Sequence, residues 1–449
     1  MRFLIICTYY PPDTTIGAVR PYMLAKYLSV QGHEVTVLRN GVFYRSPDPL
    51  YAPLEQVEVI SYSGPDSDAE RYLRGEYQVN HVNKEKRPTA SKLPAVLYAP
   101  LVSLYSVLTG PFSDQKRIKK AKHDFSLLRP AIDDMFNKGY TFDCVFSTYS
   151  NLENIYGGEY AAKKFNASWI QDLRDPVTMY HRKGSFLWNI NARKIQKYVL
   201  KNADLCTTVS AGLAEYLESF CPGSTVKEIY NGYDVGFDDF PEPDMTGREK
   251  KLVLCYTGSM YGPEFKALET LLCHIRNLSN EKKISLDNVS FVYAGKNSTK
   301  VKSYFDKYKL GTLFQDHGYI TRSEVFELQK KTDAFLVFSW NTNNMRGVIT
   351  GKFYEGIKSN KPIISVVAGN RPNSDLMLLN RKYGYGYCLE LCSEREHGKG
   401  FDEFFLKMYD EKMKNGHLSY MPSEKLKNDF RYDHIASDLA DIAEQIAKK

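Results

Sequence analysis

MRFLIICTYYPPDTTIGAVR, residues 1–20, and KLVLCYTGSMYG, residues 251–262, follow one plan. Each is an apolar, β-rich run that ends in a turn and opens onto a helical pattern, and each can start its own doubly wound α/β domain. The pattern predicts two such domains facing one another across a cleft. Exposed N–H groups at helix N-termini attract diphosphate, so a groove of this kind suits a nucleotide-linked substrate. That geometry points to an enzyme.

At 449 residues the chain is long for one core and comfortable for two domains of roughly 200 residues each. With 43% hydrophobic and 25% charged residues it reads as soluble and globular. Eight cysteines are scattered at positions 7, 144, 206, 221, 255, 273, 388 and 392, with no C-x-x-C pair to build a zinc site. Several fall inside apolar runs, which suits small buried residues in a reducing compartment. Met1 to Cys7 is too short for the apolar region of a secretory signal, and Pro11 and Pro12 follow it at once. The segment reads as a strand and the protein as cytoplasmic.

Charge is concentrated. Between Lys84 and Lys122 stand nine Lys or Arg against two acids, so this stretch alone carries the chain's net +7. The basic runs flank the uncharged segment Leu93 to Phe112, where Pro94, Pro100 and Pro111 would break a spanning helix. Leu101, Leu104, Tyr105 and Leu108 share a helical face. An apolar wedge with basic flanks fits a segment lying on an anionic membrane surface. A buried helix with solvated basic neighbours fits equally well.

The strand Glu34 to Leu38 ends at Arg39 and Asn40, where a dinucleotide-binding domain would place an acid for the ribose. The first loop offers Gly17 without G-x-G-x-x-G, so an NAD enzyme is disfavoured. Further β-α-β units follow from 142 to 230, with a linker rich in Asp, Pro and Gly at 234–248. The alternation resumes from Leu252 to Val367, and T-x-x-E at Thr321–Glu324 forms a capping box. The predicted domains are 1–235 and 236–429, with a terminal helix within about 430–449 that crosses back to the first domain.

Six blocks in order carry a resemblance that spans nearly the whole chain. They are PPDTTIGAVR with LAKYLSVQGHEVTVL, then ADLCTTVSAGLAEYL (203–217), IYNGYD (229–234), YTGSMYG (256–262), HGYITRSEV (317–325) and RGVITGKFYEGIKSNKPIIS (346–365). This series resembles family 4 retaining glycosyltransferases, and most of all the subgroup that builds capsule, O-antigen or similar surface polysaccharide. The resemblance implies the α/β GT-B fold, two Rossmann-like domains facing across a cleft. A nucleotide sugar would bind the second domain and the acceptor the first.

Residue by residue, Glu355 matches the family's glutamate that accepts hydrogen bonds from the ribose diol. A second glutamate usually stands eight residues earlier, but here the position is Gly347, and the N–H groups of Val348 to Gly351 are the expected substitute for its sugar contacts. Lys352 and Arg346 are cations beside the same loop, placed to neutralise a leaving diphosphate or simply solvated. Gly17 admits a phosphate close to backbone or makes a plain tight turn, and Arg20 opens the next helix on the ligand side. Arg174 and Asp175, in DLRDP (172–176), follow a strand; Asp175 holds or deprotonates an acceptor hydroxyl, or caps a helix before Pro176. Gly258 and Gly262 admit phosphate at the second-domain turn, Lys266 is the candidate for the basic residue expected after it, and Gly318, Tyr319 and Ile320 match the stretch whose backbone contacts the base. Asp133–Asp134 and Asp238–Asp239 are adjacent surface acids, not D-x-D elements, and enzymes of this resemblance generally need no metal.

The expected activity is transfer of a sugar from an NDP-sugar, uridine-linked, to a glycan or polyprenyl-diphosphate-linked acceptor by a cytoplasmic enzyme, peripheral on the inner membrane face in the wedge reading. Two rivals stay open: a nucleotide-sugar 2-epimerase of the same fold, and a non-catalytic sugar-nucleotide-binding assembly partner, made thinkable by Gly347. Nucleic acid is excluded as a partner because the basic cluster adjoins an aliphatic segment, not a stacking platform. If the wedge reading holds, changing Leu101, Leu104 and Leu108 together to Ser abolishes flotation with anionic liposomes; undiminished flotation leaves the buried-helix reading.

Overall fold

Two parallel sheets organise the chain. The computed structural model describes residues 1–13, 15–42, 53–63, 67–68, 71, 118–178, 186–235 and 250–447. The apolar stretch 93–112, the basic residues from Lys84 to Arg117 and the linker residues 236–248, with Asp238 and Asp239, lie outside them. The chain divides into two compact units, one made of Met1–Val209, Leu213–Tyr230 and Ile435–Lys449, the other of Ser210–Gly212 and Asn231–His434.

The first unit holds β1 (Arg2–Cys7), β2 (Glu34–Arg39), β3 (Val57–Ser61), β4 (Cys144–Thr148), β5 (Ser168–Asp172), β6 (Leu205–Thr208) and β7 (Val226–Glu228), ordered β3-β2-β1-β4-β5-β6-β7. The second holds β8 (Leu252–Thr257), β9 (Val289–Ala294), β10 (Phe314–Asp316), β11 (Ala334–Asn341), β12 (Ile363–Gly369) and β13 (Gly386–Glu390), ordered β10-β9-β8-β11-β12-β13. Every pairing is parallel. Central strands such as Phe3–Cys7 are wholly buried, which explains their unbroken apolar runs: helices cover both faces, so no face alternates to polar. Strand order reverses between β1 and β4 and again between β8 and β11, the points where such sheets open a crevice for ligands at the strand carboxyl ends.

The terminal helix Tyr432–Ile446 lies within the first unit from Ile435 onward. Its buried residues Ile435, Ala436, Leu439, Ala440 and Ala443 form one apolar stripe. Gln31 Nε2 donates to Ser437 Oγ at 2.9 Å, and Ser168 Oγ to the Ile446 carbonyl at 2.6 Å. Thr321 and Glu324 form the capping box that their spacing predicts, at the start of helix Arg322–Lys330. Asp133 and Asp134 lie on a helix through 118–137 and pair with Lys164 and Lys138 at 2.9 and 2.7 Å.

Arg20 departs from expectation. Helix Val19–Val30 starts early enough to include it, and its side chain is only 2% exposed. Its Nε and Nη2 donate to the two oxygens of Asp172 at 3.0 and 2.9 Å, and its Nη1 and Nη2 to the carbonyls of Tyr230 and Ile229, both at 2.8 Å. Thr148 and Thr207 hydroxyls donate to the same carboxylate at 2.9 and 3.0 Å. Instead of reaching for a donor, Arg20 ties helix Val19–Val30, β5 and the chain after β7 together. Arg39 is likewise buried and braces its surroundings, with its guanidinium on Ser61 Oγ at 3.3 Å and on the Pro11 carbonyl.

A buried charge stripped of its partner is costly, so Arg20→Met is expected to destabilise the chain by about 3–5 kcal/mol in urea unfolding. Adding Asp172→Ala to that background should cost much less than its effect alone. Strict additivity of the two changes would show that the pair is not coupled.

Candidate functional site

In the second unit, three strand ends converge through backbone bonds. The Gly258 N–H donates to the Ala294 carbonyl at 2.7 Å, and the Gly295 N–H to the Gly318 carbonyl at 2.7 Å. A Cβ on Gly295 would stand 2.2 Å from the Gly258 oxygen, so these turns pack as closely as they do only without side chains. Gly258 has φ +119, a conformation other residues avoid.

Bare backbone at Gly258 makes room for Lys352. A Cβ on Gly258 would meet Lys352 Cε at 2.8 Å, and the ammonium lies 4.9 Å from the centroid of the Tyr256 ring. The Tyr256 hydroxyl donates to Glu264 Oε1 at 3.2 Å, while the Tyr261 N–H donates to Oε2 at 2.6 Å. Burial pushes the Glu264 carboxyl up from its ordinary value, against the pull of the Lys352 charge. Lys352 therefore sits between an aromatic face, a carboxyl group and a glycine turn, beside the N-terminus of helix Gly351–Lys358.

One turn further along that helix, Glu355 joins a second cluster. Gln329 Nε2 donates to Glu355 Oε2 and to Thr257 Oγ1, both at 3.0 Å, and the Thr257 hydroxyl donates to the same carboxylate oxygen at 3.5 Å. Glu355 Oε1 has no hydrogen-bond partner among the described residues, and the residue is half-buried. One oxygen is fixed and the other is open to a ligand.

The other expected residues of this unit fall in two groups. Arg346 and Val348 are half-buried in the loop between β11 and helix Gly351–Lys358, where Gly347 adopts φ +68 and Ser339 Oγ donates to the Val348 carbonyl at 2.6 Å. Thr350 precedes that helix in an extended conformation without a side-chain cap, and Gly351 is exposed. Gly318 has φ +65 and its N–H donates to Asp316 Oδ1 at 2.8 Å; Tyr319 is 72% exposed with Lys296 Nζ 5.1 Å over its ring, and Ile320 is half-buried. Lys266 lies on helix Glu264–Asn280, where its ammonium pairs with Glu269 at 3.1 Å, an i,i+3 contact.

In the first unit, Arg174 Nη1 donates to the Gly17 carbonyl at 3.0 Å and Nη2 to Ser150 Oγ at 2.5 Å, while its Nε is buried and has no partner among the described residues. Gly17 lies in a short 3-10 turn, Ile16–Ala18, where a Cβ would stand 2.7 Å from the Tyr9 ring. Asp175 is half-buried beside Arg174. Sequence reading passed over Glu153, which is buried at the first turn of helix Leu152–Phe165 with Thr8 Oγ1 donating to its Oε1 at 3.3 Å. Burial pushes this carboxyl above its ordinary value. An acid in a first helical turn is too common to have marked it. Glu264, Thr257 and Gln329 escaped notice for the same reason: each has an ordinary local role. Among the described residues, no group of three or more His, Cys, Asp or Glu could hold a metal ion.

Solved structures show the same architecture. The chain is similar to a sucrose-phosphate synthase from Thermosynechococcus elongatus, at 12% identity over 99% of this chain and 98% of that one, with a TM-score of 0.58. The chain has the GT-B fold. The same holds for the catalytic domain of starch synthase IV from Arabidopsis thaliana bound to ADP and acarbose, at 11% identity, 99% of both chains and a TM-score of 0.57. A lipopolysaccharide outer core galactosyltransferase, WaaB, matches at 12% identity, 99% of both chains and a TM-score of 0.51. No family model matches the chain, and no curated protein does.

The Glu269 carboxylate, with Lys307 and Lys266 beside it, carries a pH signature. Hydrogen bonds from Lys307 and Lys266 pull the Glu269 carboxylate down from 4.5 to about 2. A folded-state value below the unfolded one means that the stabilisation is complete above the unfolded value and is lost as the pH falls from about 4.5 toward 2. Glu269→Gln should therefore be less stable than wild type in urea unfolding at pH 7, with the gap closing below pH about 4. A gap that stays constant to pH about 2.5 contradicts the assignment.

Proposed function

We propose that the protein is a retaining glycosyltransferase that moves a sugar from a nucleoside-diphosphate sugar, uridine-linked, to a glycan or polyprenyl-diphosphate-linked acceptor in assembly of a capsule- or O-antigen-type polysaccharide. One observation carries the reading: Glu355, with one oxygen held by Gln329 and Thr257 and the other open, lies one helical turn from Lys352, which rests on the Gly258 turn. A ribose diol and a diphosphate are the two groups that such a pair would recognise together. The GT-B fold supports it, and the starch synthase structure on that fold holds ADP.

In this reading the open Glu355 oxygen accepts from the ribose hydroxyls. Lys352 and Arg346 face the diphosphate, whose negative charge grows as the glycosidic bond lengthens, and so stabilise the transition state more than the ground state. Gly318, Tyr319 and Ile320 receive the base, and the N–H groups of Val348 to Gly351 hold the sugar in place of the glutamate that Gly347 displaces. The acceptor hydroxyl attacks the anomeric carbon from the face that the diphosphate leaves, the bond from that carbon to the diphosphate oxygen breaks, and the hydroxyl proton passes to that departing oxygen; Asp175 and Arg174 are the candidates to orient the hydroxyl. Donor and acceptor then meet with no covalent intermediate on the protein. A lipid-linked acceptor places the enzyme at a membrane surface; no described helix is long and apolar enough to cross a membrane.

A donor screen that follows released nucleoside diphosphate tests the proposal. Against wild type, Glu355→Ala should raise donor KM about tenfold through loss of charge-assisted hydrogen bonds. Lys352→Met should lower kcat by about 10²-fold. Unchanged turnover and donor affinity in Glu355→Ala would refute this placement of the nucleotide.

A further inference from the structure

Glu355 does not orient itself. A carboxylate on a half-exposed helix face rotates about its terminal bond, and only some orientations aim an oxygen at a ligand. Here Oε2 is taken by two donors, Gln329 Nε2 at 3.0 Å and Thr257 Oγ1 at 3.5 Å. We infer that Gln329, together with Thr257, is the positioning residue that fixes the Glu355 carboxylate for the ribose diol; the inference rests on the nucleotide placement proposed above.

Four features of Gln329 point to this role. It is 1% exposed, so its amide has no water to turn toward. Both Nε2 hydrogens are committed, one to Glu355 and one to Thr257, and the reversed amide would aim an oxygen at a carboxylate and so is disfavoured. Its backbone is clamped at the end of helix Arg322–Lys330: the carbonyl accepts from Lys361 Nζ at 2.5 Å and from Thr332 Oγ1 at 2.8 Å. Finally, its own Oε1 is buried and has no partner among the described residues. A buried acceptor left unpaired is unfavourable, and its retention makes sense where the amide is kept for its two N–H groups. Thr257, the last residue of β8, completes a ring of three side chains from a strand and two helices.

A purely structural glutamine would brace the same elements without caring about the ligand. The distinguishing readout is therefore selectivity for ribose hydroxyls. Titration calorimetry of the full chain with UDP and with 2′,3′-dideoxy-UDP, and with the matching adenine pair alongside, gives the preference for the diol in each variant. Wild type should prefer the diol by about tenfold or more, a charge-assisted bond's worth. Gln329→Met, which keeps the volume but donates nothing, should lose most of that preference while affinity for the dideoxy nucleotide changes less than about twofold. Thr257→Val should shift it in the same direction by a smaller factor, and decides the matter should Gln329→Met fail to fold. Equal loss for both nucleotides, or none, in the folded variants overturns the positioning role. Glu355→Ala separates the two levels: if it abolishes the preference while Gln329→Met and Thr257→Val do not, this inference alone fails. If wild type shows no diol preference, or Glu355→Ala retains it, the nucleotide placement falls and this inference with it.

Discussion

Every strand in each sheet runs the same way, and the rest of the molecule depends on that constraint. Parallel pairing delivers all the carboxyl ends of a sheet to one edge, and each strand must leave that edge through a turn into a crossover helix. Turns and helix starts are therefore crowded together where strand order reverses. In the second unit this crowding brings Gly258, Gly295 and Gly318 into backbone contact and sets Lys352 and Glu355 on the helix that follows β11. In the first it brings Gly17, Ser150 and Arg174 together. The chemistry-bearing residues come from positions far apart in sequence, and the sheet edge is what gathers them.

Two kinds of polar group populate these edges, and burial sorts them. Arg20 and Asp172 satisfy one another within the first unit and fasten the carboxyl ends of β4, β5 and β6 to the chain after β7. Lys412 and Asp333 do similar work in the second unit, at 2.8 Å with both side chains 2% exposed. Such pairs retain little capacity for a ligand. Lys352 and Glu355 differ: each is half-buried, and neither forms an ion pair among the described residues. Partial support with one open side is the condition under which a charged group can be both oriented and available.

Much of the fold was legible, because β-α-β alternation is written in local apolar runs and turn residues. β9 and β10 occupy the residues that their patterns predict, and the Thr321 capping box forms. Elements without a plain local signal went unread. β3, VEVIS, is a partly exposed edge strand, and helix Glu394–Asn415 hides its apolar residues Phe401, Phe405 and Met408 in a heavily charged segment. Within the site, Glu355 and Lys352 could be singled out because their motif is contiguous. Gln329 and Thr257 could not, since nothing near either of them in sequence mentions Glu355.

By itself the sequence determined the α/β class, the two turns at Gly17 and Gly258 that follow an opening strand, and the presence of a cation and a carboxylate one helical turn apart at 352 and 355. Those are local properties, set by side-chain periodicity and the conformational freedom of glycine. Only the tertiary structure decided which charges remain for a ligand. Arg20 is spent on an aspartate 152 residues away, while Lys352 reaches a bare glycine turn. A charged side chain goes to the nearest partner of opposite charge that the fold supplies, and which partner is near is a property of packing, not of the residues that flank it.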